Sequence, residues 1–486
     1  MKIMNKKSWA PAGILALIAL LGVCGAWKAA RRDTPQAADP SLAYAKYMKT
    51  AGGVAAEMFL PGYWIGNSPL PMDSVLMSPE RIRSFNAANK NALTTESGST
   101  MALTDIGDAI SGAFVREMTR AVYRPKPSET VYLNGALVTE EYWADLDRRL
   151  HLNGIPKTVP VRFGYAVFWT TLQAYPTRDV VGEKDDLLFD KMVRSNCRPC
   201  QPLAVVHESA DGGWYYVFTD SYGGWIEKKH VALCKSREEW LRRMEPKHCL
   251  VVTGSELCLG DDPYCEELSG ARFPMGTALP LVRSDEAPES VRSRIGFGCY
   301  AVKIPLRGGD GWIRDEYALV PASADVCVGR LEFTAANVLR QMFKLLGRRY
   351  GWGGDGHAND CSGILRDVFS CFGVVLPRTS AQQAEARGAA AVDLSGLTDG
   401  ARLDMLKKTR AGSLLFFPGH AMLYLGTVRG KPYVISAVSS FSEDGQTLLA
   451  ANTVTVNSLT ETYRKDGGSW LSHLTTLIRF DEEAPI

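Results

Sequence analysis

The chain has 486 residues, of which 46% are hydrophobic, and a formal net charge of only +2. Since a typical domain has about 100–150 residues, this length predicts roughly three or four domains and excludes a chain that is disordered overall. The near-neutral charge gives no electrostatic reason to expect nucleic acid or another polyanion as a partner.

The first residues have the pattern of an export leader. Three lysines precede an apolar run over residues 9–27, which is the order of a signal peptide. Residues 21–24, Leu-Gly-Val-Cys, loosely resemble a lipobox, and the run is also long enough to serve as a single membrane anchor. We therefore expect an exported protein of the periplasm or cell envelope, with residues 1–32 cleaved, lipidated or kept as an anchor.

Residues 33–155 are predicted to form a mainly helical packing domain, in which we find no candidate chemistry. Ser78 followed by Pro79 is the pattern of a helix N-cap and first turn. Further helices are predicted over about 106–123 and 139–152, the latter capped by Thr139.

Two stretches of short β-branched and aromatic runs follow, at 156–240 and 241–328. Such runs, about 8–12 residues apart with glycine- and aspartate-rich turns between them, predict small sheets or barrels. Each stretch carries a Gly-Trp-Ile triplet, at 224–226 and 311–313, which suggests two copies of one module.

The last region, 329–486, is predicted to have helices first and an antiparallel sheet afterwards, an α+β arrangement. One apolar stripe predicts a helix over 335–346, and another predicts a helix that begins near Cys361 and ends at Gly373. Strands are predicted over 413–417, 420–425 and 433–438.

A glycine-rich loop brings Cys361 to the front of that second helix, where Asp360 is a natural N-cap. The helix dipole favours a thiolate there, so Cys361 is a candidate nucleophile rather than only a small core residue. His420 begins a strand after a Pro-Gly turn and is the candidate base. Ser436 is the only polar side chain of the following strand and the candidate third group, with a backbone carbonyl or water as alternatives.

The other cysteines predict no metal centre. Cys197 and Cys200 form half of a zinc pattern, but no second pair with matching spacing follows. Cys258 and Cys265 flank a turn-rich segment, where a disulfide is plausible in an exported chain.

Four motifs, in order, resemble those of the NlpC/P60 cell-wall peptidases. They are Arg349-Tyr350-Gly-Trp352-Gly-Gly, Asp360-Cys361-Ser362-Gly363, Leu376-Pro-Arg378-Thr-Ser380 and Gly419-His420-Ala-Met-Leu-Tyr-Leu-Gly426. The two β modules resemble bacterial SH3 domains, as in the subgroup of γ-D-glutamyl-L-diamino acid endopeptidases. The resemblance implies a multidomain α+β protein, with a papain-like catalytic domain after two small SH3-like β barrels and the N-terminal helical domain.

The resemblance also implies roles for single residues. Cys361 matches the nucleophile and His420 the base, while Ser436 falls where the family usually has His, Asn or Gln. Asp360 and Ser362 match the positions that hold the free amine of L-Ala and the neighbouring substrate backbone.

Three further roles follow from the same resemblance. Tyr350 would help to stabilise the oxyanion, Ser380 would contact the D-Glu carboxylate, and Tyr222 would wall the cleft from the first SH3-like domain. The implied activity is hydrolysis of the bond between γ-D-glutamate and a diamino acid, by default meso-diaminopimelate, in stem peptides or murein fragments with a free L-Ala.

We expect this reaction to need no metal or cofactor, and we expect a monomer. The alternatives are a related amidase or acyltransferase, and a wall-binding adaptor whose cysteine site is degenerate.

Overall fold

The structure, a computed structural model, describes residues 48–120, 123–126, 128–244 and 246–481. The leader expected at 1–32 lies outside these residues. In the described ranges, no helix combines the length and the apolar character that a membrane crossing requires.

Helices and very short strands alternate over residues 61–149. The helices are α1 (Pro61–Asn67), α2 (Pro79–Ala88), α3 (Gly112–Arg120) and α4 (Glu140–Arg149). The strands are β1 (Leu93–Thr94), β2 (Thr100–Met101), β3 (Ala109–Ser111), β4 (Tyr132–Leu133) and β5 (Ala136–Leu137). The caps predicted at Ser78 and Thr139 form, since each side chain accepts a backbone N–H of the first turn at 3.3 Å. The helix predicted over 106–123 begins only at Gly112, because the residues before it pair as strand β3.

The apolar side chains of this N-terminal region belong to two different cores. Trp64 of α1 and Phe85 of α2 are buried together with the helices of the last region. Val115 of α3 and Trp143 of α4 are buried with the sheet that follows. The region predicted as one packing domain over residues 33–155 therefore packs against both the first β module and the last region, which carries Cys361.

The first β module contains one antiparallel seven-stranded sheet. Its region contains β6 (Thr158–Pro160), β7 (Arg162–Ala166), β8 (Thr170–Gln173), β9 (Val181–Gly182), β10 (Val193–Cys197), β11 (Pro202–Glu208), β12 (Trp214–Phe218), β13 (Gly223–Glu227), β14 (Val231–Leu233) and α5 (Arg237–Met244). The strand order is β10-β8-β13-β12-β11-β7-β14. The two edge strands, β10 and β14, do not pair with each other, so the sheet does not close into the barrel expected from the sequence.

The second β module is split into smaller antiparallel sheets. Its strands are β15 (Cys249–Val252), β16 (Glu256–Cys258), β17 (Arg272–Pro274), β18 (Ala278–Pro280), β19 (Ser290–Val291), β20 (Arg294–Ile295), β21 (Cys299–Arg307), β22 (Ile313–Pro321) and β23 (Val326–Val328). The shared Gly-Trp-Ile triplet is used differently in the two modules. Trp225 lies within β13 and is fully buried, whereas Trp312 precedes β22 and is 39% exposed.

The last region has the predicted α+β arrangement. It contains α6 (Ala335–Phe343), α7 (Cys361–Ser370), α8 (Ser380–Ala384), α9 (Asp399–Lys407), α10 (Trp470–His473), β24 (Ala390–Asp393), β25 (Leu414–Phe417), β26 (His420–Val428), β27 (Lys431–Phe441), β28 (Leu449–Ser458) and β29 (Thr476–Arg479). The strands form one antiparallel sheet in the order β24-β29-β25-β26-β27-β28. Helix α7 packs on β26 and β27, which places its first residue beside the start of β26.

The ten cysteines that the structure describes are all free thiols. The hairpin bridge considered between Cys258 and Cys265 is not formed. No group of three or more His, Cys, Asp and Glu side chains suited to a metal ion occurs in the described part of the chain.

Candidate active site

Cys361 is the first residue of α7, and local sequence explains its position. Asp360 caps the helix, with its Oδ1 accepting the Gly363 N–H at 2.7 Å. The next turns bury Ile364, Leu365 and Val368 against the sheet. Because this apolar stripe fixes the rotation of the helix, the thiol stays on the side that faces the beginning of β26.

The glycine-rich loop before Cys361 is needed for close contact with the first β module. Gly353 and Gly354 have φ values of +61° and +87°, a conformation that side chains rarely adopt. A Cβ atom on Gly354 would lie 2.7 Å from the Asn196 side chain of β10. Glycine thus lets the loop lie directly on that strand.

His420 is brought to the thiol by the hairpin of β25 and β26. Gly419 has a φ of +84° in the turn, and His420 pairs with Phe417 across it. Cys361 and His420 line one cavity of about 310 Å³. The backbone N–H of Ala421, the residue after His420, acts on the Cys361 sulfur and lowers the pKa of its thiol.

The imidazole of His420 is held on three sides. Its Nε2 lies 3.0 Å from the Oγ of Ser436, which is fully buried in β27. The ring centroid of Phe417 is 5.2 Å away, and that of Trp470 is 5.4 Å away in an edge-on arrangement. With Nε2 occupied by Ser436, Nδ1 is the ring nitrogen left to receive the thiol proton.

Burial keeps both partners neutral in the free protein. It raises the pKa of Cys361 to about 12, and the Asp360 carboxylate adds to this effect. Burial also lowers the pKa of His420 to about 4, assisted by the positive charge of Arg464. These effects outweigh the helix dipole on which the sequence prediction of a thiolate depended. If Cys361 attacks a substrate from this state, its proton has to pass to His420 during the attack.

Asp360 forms a buried ion pair that was not predicted from the sequence. Arg378 Nη2 donates to its Oδ2 at 2.7 Å, and Nη1 donates to its Oδ1 at 3.1 Å. Ser362 Oγ also donates to Oδ1, at 3.2 Å. Although burial acts to raise it, the Arg378 guanidinium and these hydrogen bonds hold the pKa of Asp360 below its usual range.

Tyr350 and Tyr222 lie on different sides of this cluster. Tyr350 lines the cavity with Cys361. Burial raises its pKa, and the nearby Asp360 carboxylate raises it further, so its hydroxyl is protonated and can donate. Tyr222, on the turn between β12 and β13, lies within electrostatic reach of Arg378.

Ser380 is half-buried at the first position of α8. Within the described residues, no hydrogen bond joins its side chain to the other candidate residues.

Comparison with known proteins identifies the family. The model of the NlpC/P60 family matches residues 347–469, and that of an SH3 domain of SH3b1 type matches residues 178–227. The chain is also 30% identical over 282 residues to Dipeptidyl-peptidase 6 of Lysinibacillus sphaericus, an alignment that covers 57% of this chain and 89% of that protein. The chain belongs to the NlpC/P60 family.

A solved NlpC/P60 endopeptidase from Photobacterium damselae subsp. piscicida shares the fold. Its TM-score is 0.64 and its identity 15%, with 85% of this chain and 95% of that chain covered. The multidomain α+β fold expected from the motifs is thus confirmed. As an NlpC/P60 member, the protein is a cysteine peptidase of the peptidoglycan hydrolase type.

In this NlpC/P60 protein, the SH3b module is joined to α7, the helix that begins at Cys361, by charged contacts. Arg198 pairs with Asp367, whose side chain is 1% exposed. Asp220 pairs with Arg366 at 2.8 Å. A third contact, from Arg378 Nε to Ser195 Oγ at 2.9 Å, ties the Asp360 ion pair to β10. Because breaking a buried charge pair is costly, these contacts hold the module rigidly beside Cys361.

Three residues of the NlpC/P60 site were not identified as functional from the sequence. Arg378 stands inside one of the four motifs, which was a usable signal, but its partner could not be identified without the fold. Phe417 precedes the Pro-Gly turn and packs on His420, while Trp470 reaches the ring from α10. Nothing in the local sequence of Trp470 indicates that contact.

We expect Ser436→Ala to lower kcat/KM about 10-fold, because loss of one buried hydrogen bond costs about 1–3 kcal/mol and leaves the His420 ring less well oriented. Steady-state hydrolysis of a stem peptide at neutral pH measures this. Ser413→Ala is the matched control, since it removes another buried serine hydrogen bond, to Arg410 O at 2.8 Å, without touching His420. Equal rates for Ser436→Ala and the wild type would show that Ser436 has no part in the reaction.

Proposed function

We propose that the protein is an endopeptidase that cleaves the bond between γ-D-glutamate and a diamino acid, by default meso-diaminopimelate, in stem peptides with a free N-terminal L-Ala. The observation that carries this proposal is the position of the buried carboxylate of Asp360 immediately before the nucleophile, beside a wall supplied by the SH3b module. A carboxylate there suits a positively charged amine at a short distance from the scissile bond.

Asp360 keeps an acceptor position for this amine despite its ion pair. Three donors, from Gly363, Ser362 and Arg378, point at Oδ1, whereas only Arg378 points at Oδ2. A carboxylate oxygen has two lone pairs, so Oδ2 can accept one further N–H. Tyr222 lies within electrostatic reach of Arg378, and we propose that it closes this side and leaves no space for a sugar attached to L-Ala.

The proposed reaction passes through an acyl-enzyme. His420 Nδ1 takes the thiol proton as Cys361 attacks the γ-carbonyl carbon, and Ser436 orients the resulting imidazolium. Backbone N–H groups at the start of α7 and the hydroxyl of Tyr350 stabilise the oxyanion. The imidazolium then protonates the leaving amine as the C–N bond breaks. Water, activated by His420, hydrolyses the thioester and frees L-Ala-γ-D-Glu.

The remaining assignments follow from this scheme. We propose that Ser362 contacts the substrate backbone and that Ser380 contacts the D-Glu carboxylate. Because peptidoglycan lies outside the cytoplasmic membrane, we propose that the protein is exported and works in the periplasm or cell envelope on murein peptides.

The test compares L-Ala-γ-D-Glu-meso-diaminopimelate with the same peptide acetylated on L-Ala. We expect release of L-Ala-γ-D-Glu from the free peptide, and a kcat/KM about 10- to 100-fold lower for the acetylated one, since a charged hydrogen bond is lost in a buried site. Mass spectrometry follows both products. In Tyr222→Ala, the ratio of kcat/KM between the free and the acetylated peptide should decrease. The side chain proposed to exclude substituents on L-Ala is removed in this variant, while the catalytic residues are unchanged.

Other outcomes distinguish the alternatives. Cleavage of the acetylated peptide at the same rate by the wild type would exclude the amine-binding role of Asp360. Binding of both peptides without cleavage would favour an adaptor, and transfer of the acyl group to an added amine in preference to water would favour an acyltransferase.

A further inference from the structure

The cavity that holds Cys361 and His420 is also lined by a cationic loop. Its lining includes residues 438–441 of β27, Leu448 and residues 463–465, together with Trp470, but not Asp360. Among the described residues that line it, Arg464 and Lys465 are the charged side chains, and none is a carboxylate.

This end of the cavity is where the leaving amino acid belongs. Under the proposed mechanism, His420 must deliver a proton to the leaving nitrogen, so that nitrogen lies on the imidazole side of Cys361. The acyl side is already occupied by Asp360 and the SH3b module. The substrate atoms beyond the scissile bond must therefore run past His420 into the space in front of Arg464.

Arg464 is fixed close to the reacting groups and its charge is only partly compensated. Its guanidinium carbon lies 5.3 Å from the Phe417 ring centroid, and that ring packs against His420 in a tilted arrangement. Its ion-pair partner is Asp466, at 3.6 Å and with a side chain that is 53% exposed. An exposed pair at that distance is weak, so the guanidinium keeps donors for another anion.

We infer that Arg464, assisted by Lys465, binds a carboxylate of the leaving diamino acid. This inference rests on the proposed function. A diamino acid of the diaminopimelate type offers two such groups, the carboxylate at its side-chain end and its main-chain carboxylate when it is the last residue. Arginine suits either, because its planar donors match a carboxylate in pairs.

Binding there would also help the chemistry. Arg464 stands near His420 and opposes a positive charge on the imidazole. A substrate carboxylate placed on Arg464 cancels much of that repulsion. The imidazolium that forms during attack is therefore easier to reach with an acidic leaving group than with a neutral one.

The test uses four tripeptides that share L-Ala-γ-D-Glu and differ in the third residue. They carry meso-diaminopimelate, the same residue amidated at its side-chain carboxylate, the same residue amidated at its main-chain carboxylate, and L-Lys. We expect the wild type to prefer the first over at least one amidated form by about 10- to 100-fold in kcat/KM. The amide that lowers kcat/KM identifies the carboxylate that is bound.

Arg464→Gln should reduce the ratio of kcat/KM between the diaminopimelate peptide and its less favoured amidated form to about threefold or less. Lys465→Gln should reduce this ratio by a smaller amount. Lys408→Gln removes an exposed lysine of the same region that does not line the cavity, and it should leave the preference unchanged.

Two results would overturn the inference while the proposed function stands. One is a wild type that cleaves all four peptides equally well, and the other is an equal loss on all four in Arg464→Gln, which would mean that Arg464 acts only through His420. A wild type that cleaves none of the four peptides would overturn the proposed function itself, and the inference with it.

Discussion

Replacement of Cys361 with alanine is expected to reduce the release of L-Ala-γ-D-Glu by about 10⁴-fold or more, because no other group can form the acyl-enzyme. The Cys361 side chain is small and stands at the helix end, so the fold should be retained. Mass spectrometry of the products measures the loss, and circular dichroism checks the fold. Cys371→Ala is the matched control, since it removes the buried thiol at the other end of α7 and should keep the activity.

The Cys361 thiol should lose its proton only at high pH, as a buried thiol does when it is not paired with an imidazolium. Because burial and Asp360 raise the pKa of Cys361 to about 12, its alkylation by iodoacetamide should quicken about tenfold per pH unit between about pH 6 and 9. The base must be neutral to act, and the pKa of His420 is lowered to about 4. The value of kcat/KM should therefore stay level from about pH 7 to 5 and fall as the pH drops through about 4. An alkylation rate that is constant from pH 5 to 8 would instead indicate a preformed thiolate–imidazolium pair.

The second large effect is expected for stability, at the buried pair of Asp360 and Arg378. Their side chains are 11% and 5% exposed, and both carboxylate oxygens are bound by the guanidinium. Arg378→Met would leave the carboxylate buried without its countercharge, which typically costs about 3–5 kcal/mol. Urea unfolding followed by tryptophan fluorescence measures the free energy of unfolding. Activity should fall as well, because the N-cap beside Cys361 loses its support.

A double variant separates pairing from packing. Asp360→Asn keeps a good N-cap but leaves Arg378 unpaired, so it should also destabilise the protein. Asp360→Asn combined with Arg378→Met should cost about 2 kcal/mol less than the sum of the single changes, because no buried charge is left alone. Arg83→Met, on the exposed face of α2, is the control and should leave stability unchanged. Strictly additive costs would show that the ion pair contributes nothing beyond packing.

Local sequence patterns predicted the elements of the last region well. The helix that begins at Cys361, its Asp360 cap and the strand that begins at His420 are all present. In the N-terminal region, strand β3 replaced the first part of a predicted helix. The predicted apolar stripe is present in the sequence, but the backbone of residues 109–111 pairs with β6 instead of forming a helical turn. The two Gly-Trp-Ile triplets are not structurally equivalent, because Trp225 is buried and Trp312 is exposed.

A residue of the candidate site could be predicted from the sequence where its type and its position on a helix or strand were enough to suggest a role. Cys361, His420 and Ser436 were placed by residue type and by their position on elements, and the structure puts Ser436 3.0 Å from His420. Arg378, Trp470 and Arg464 could not be found in this way, because each acts on a residue far away in the sequence.

The sequence by itself determined the helix that presents the thiol and the strand that carries the imidazole. Those features depend on short-range patterns of caps, apolar periods and turns, which a single segment contains completely. Only the tertiary structure decided the protonation of the thiol and the imidazole, the ion pair behind Asp360, and the cationic end of the cavity. Each of these depends on burial and on charges from other segments, which exist only after the segments have packed together.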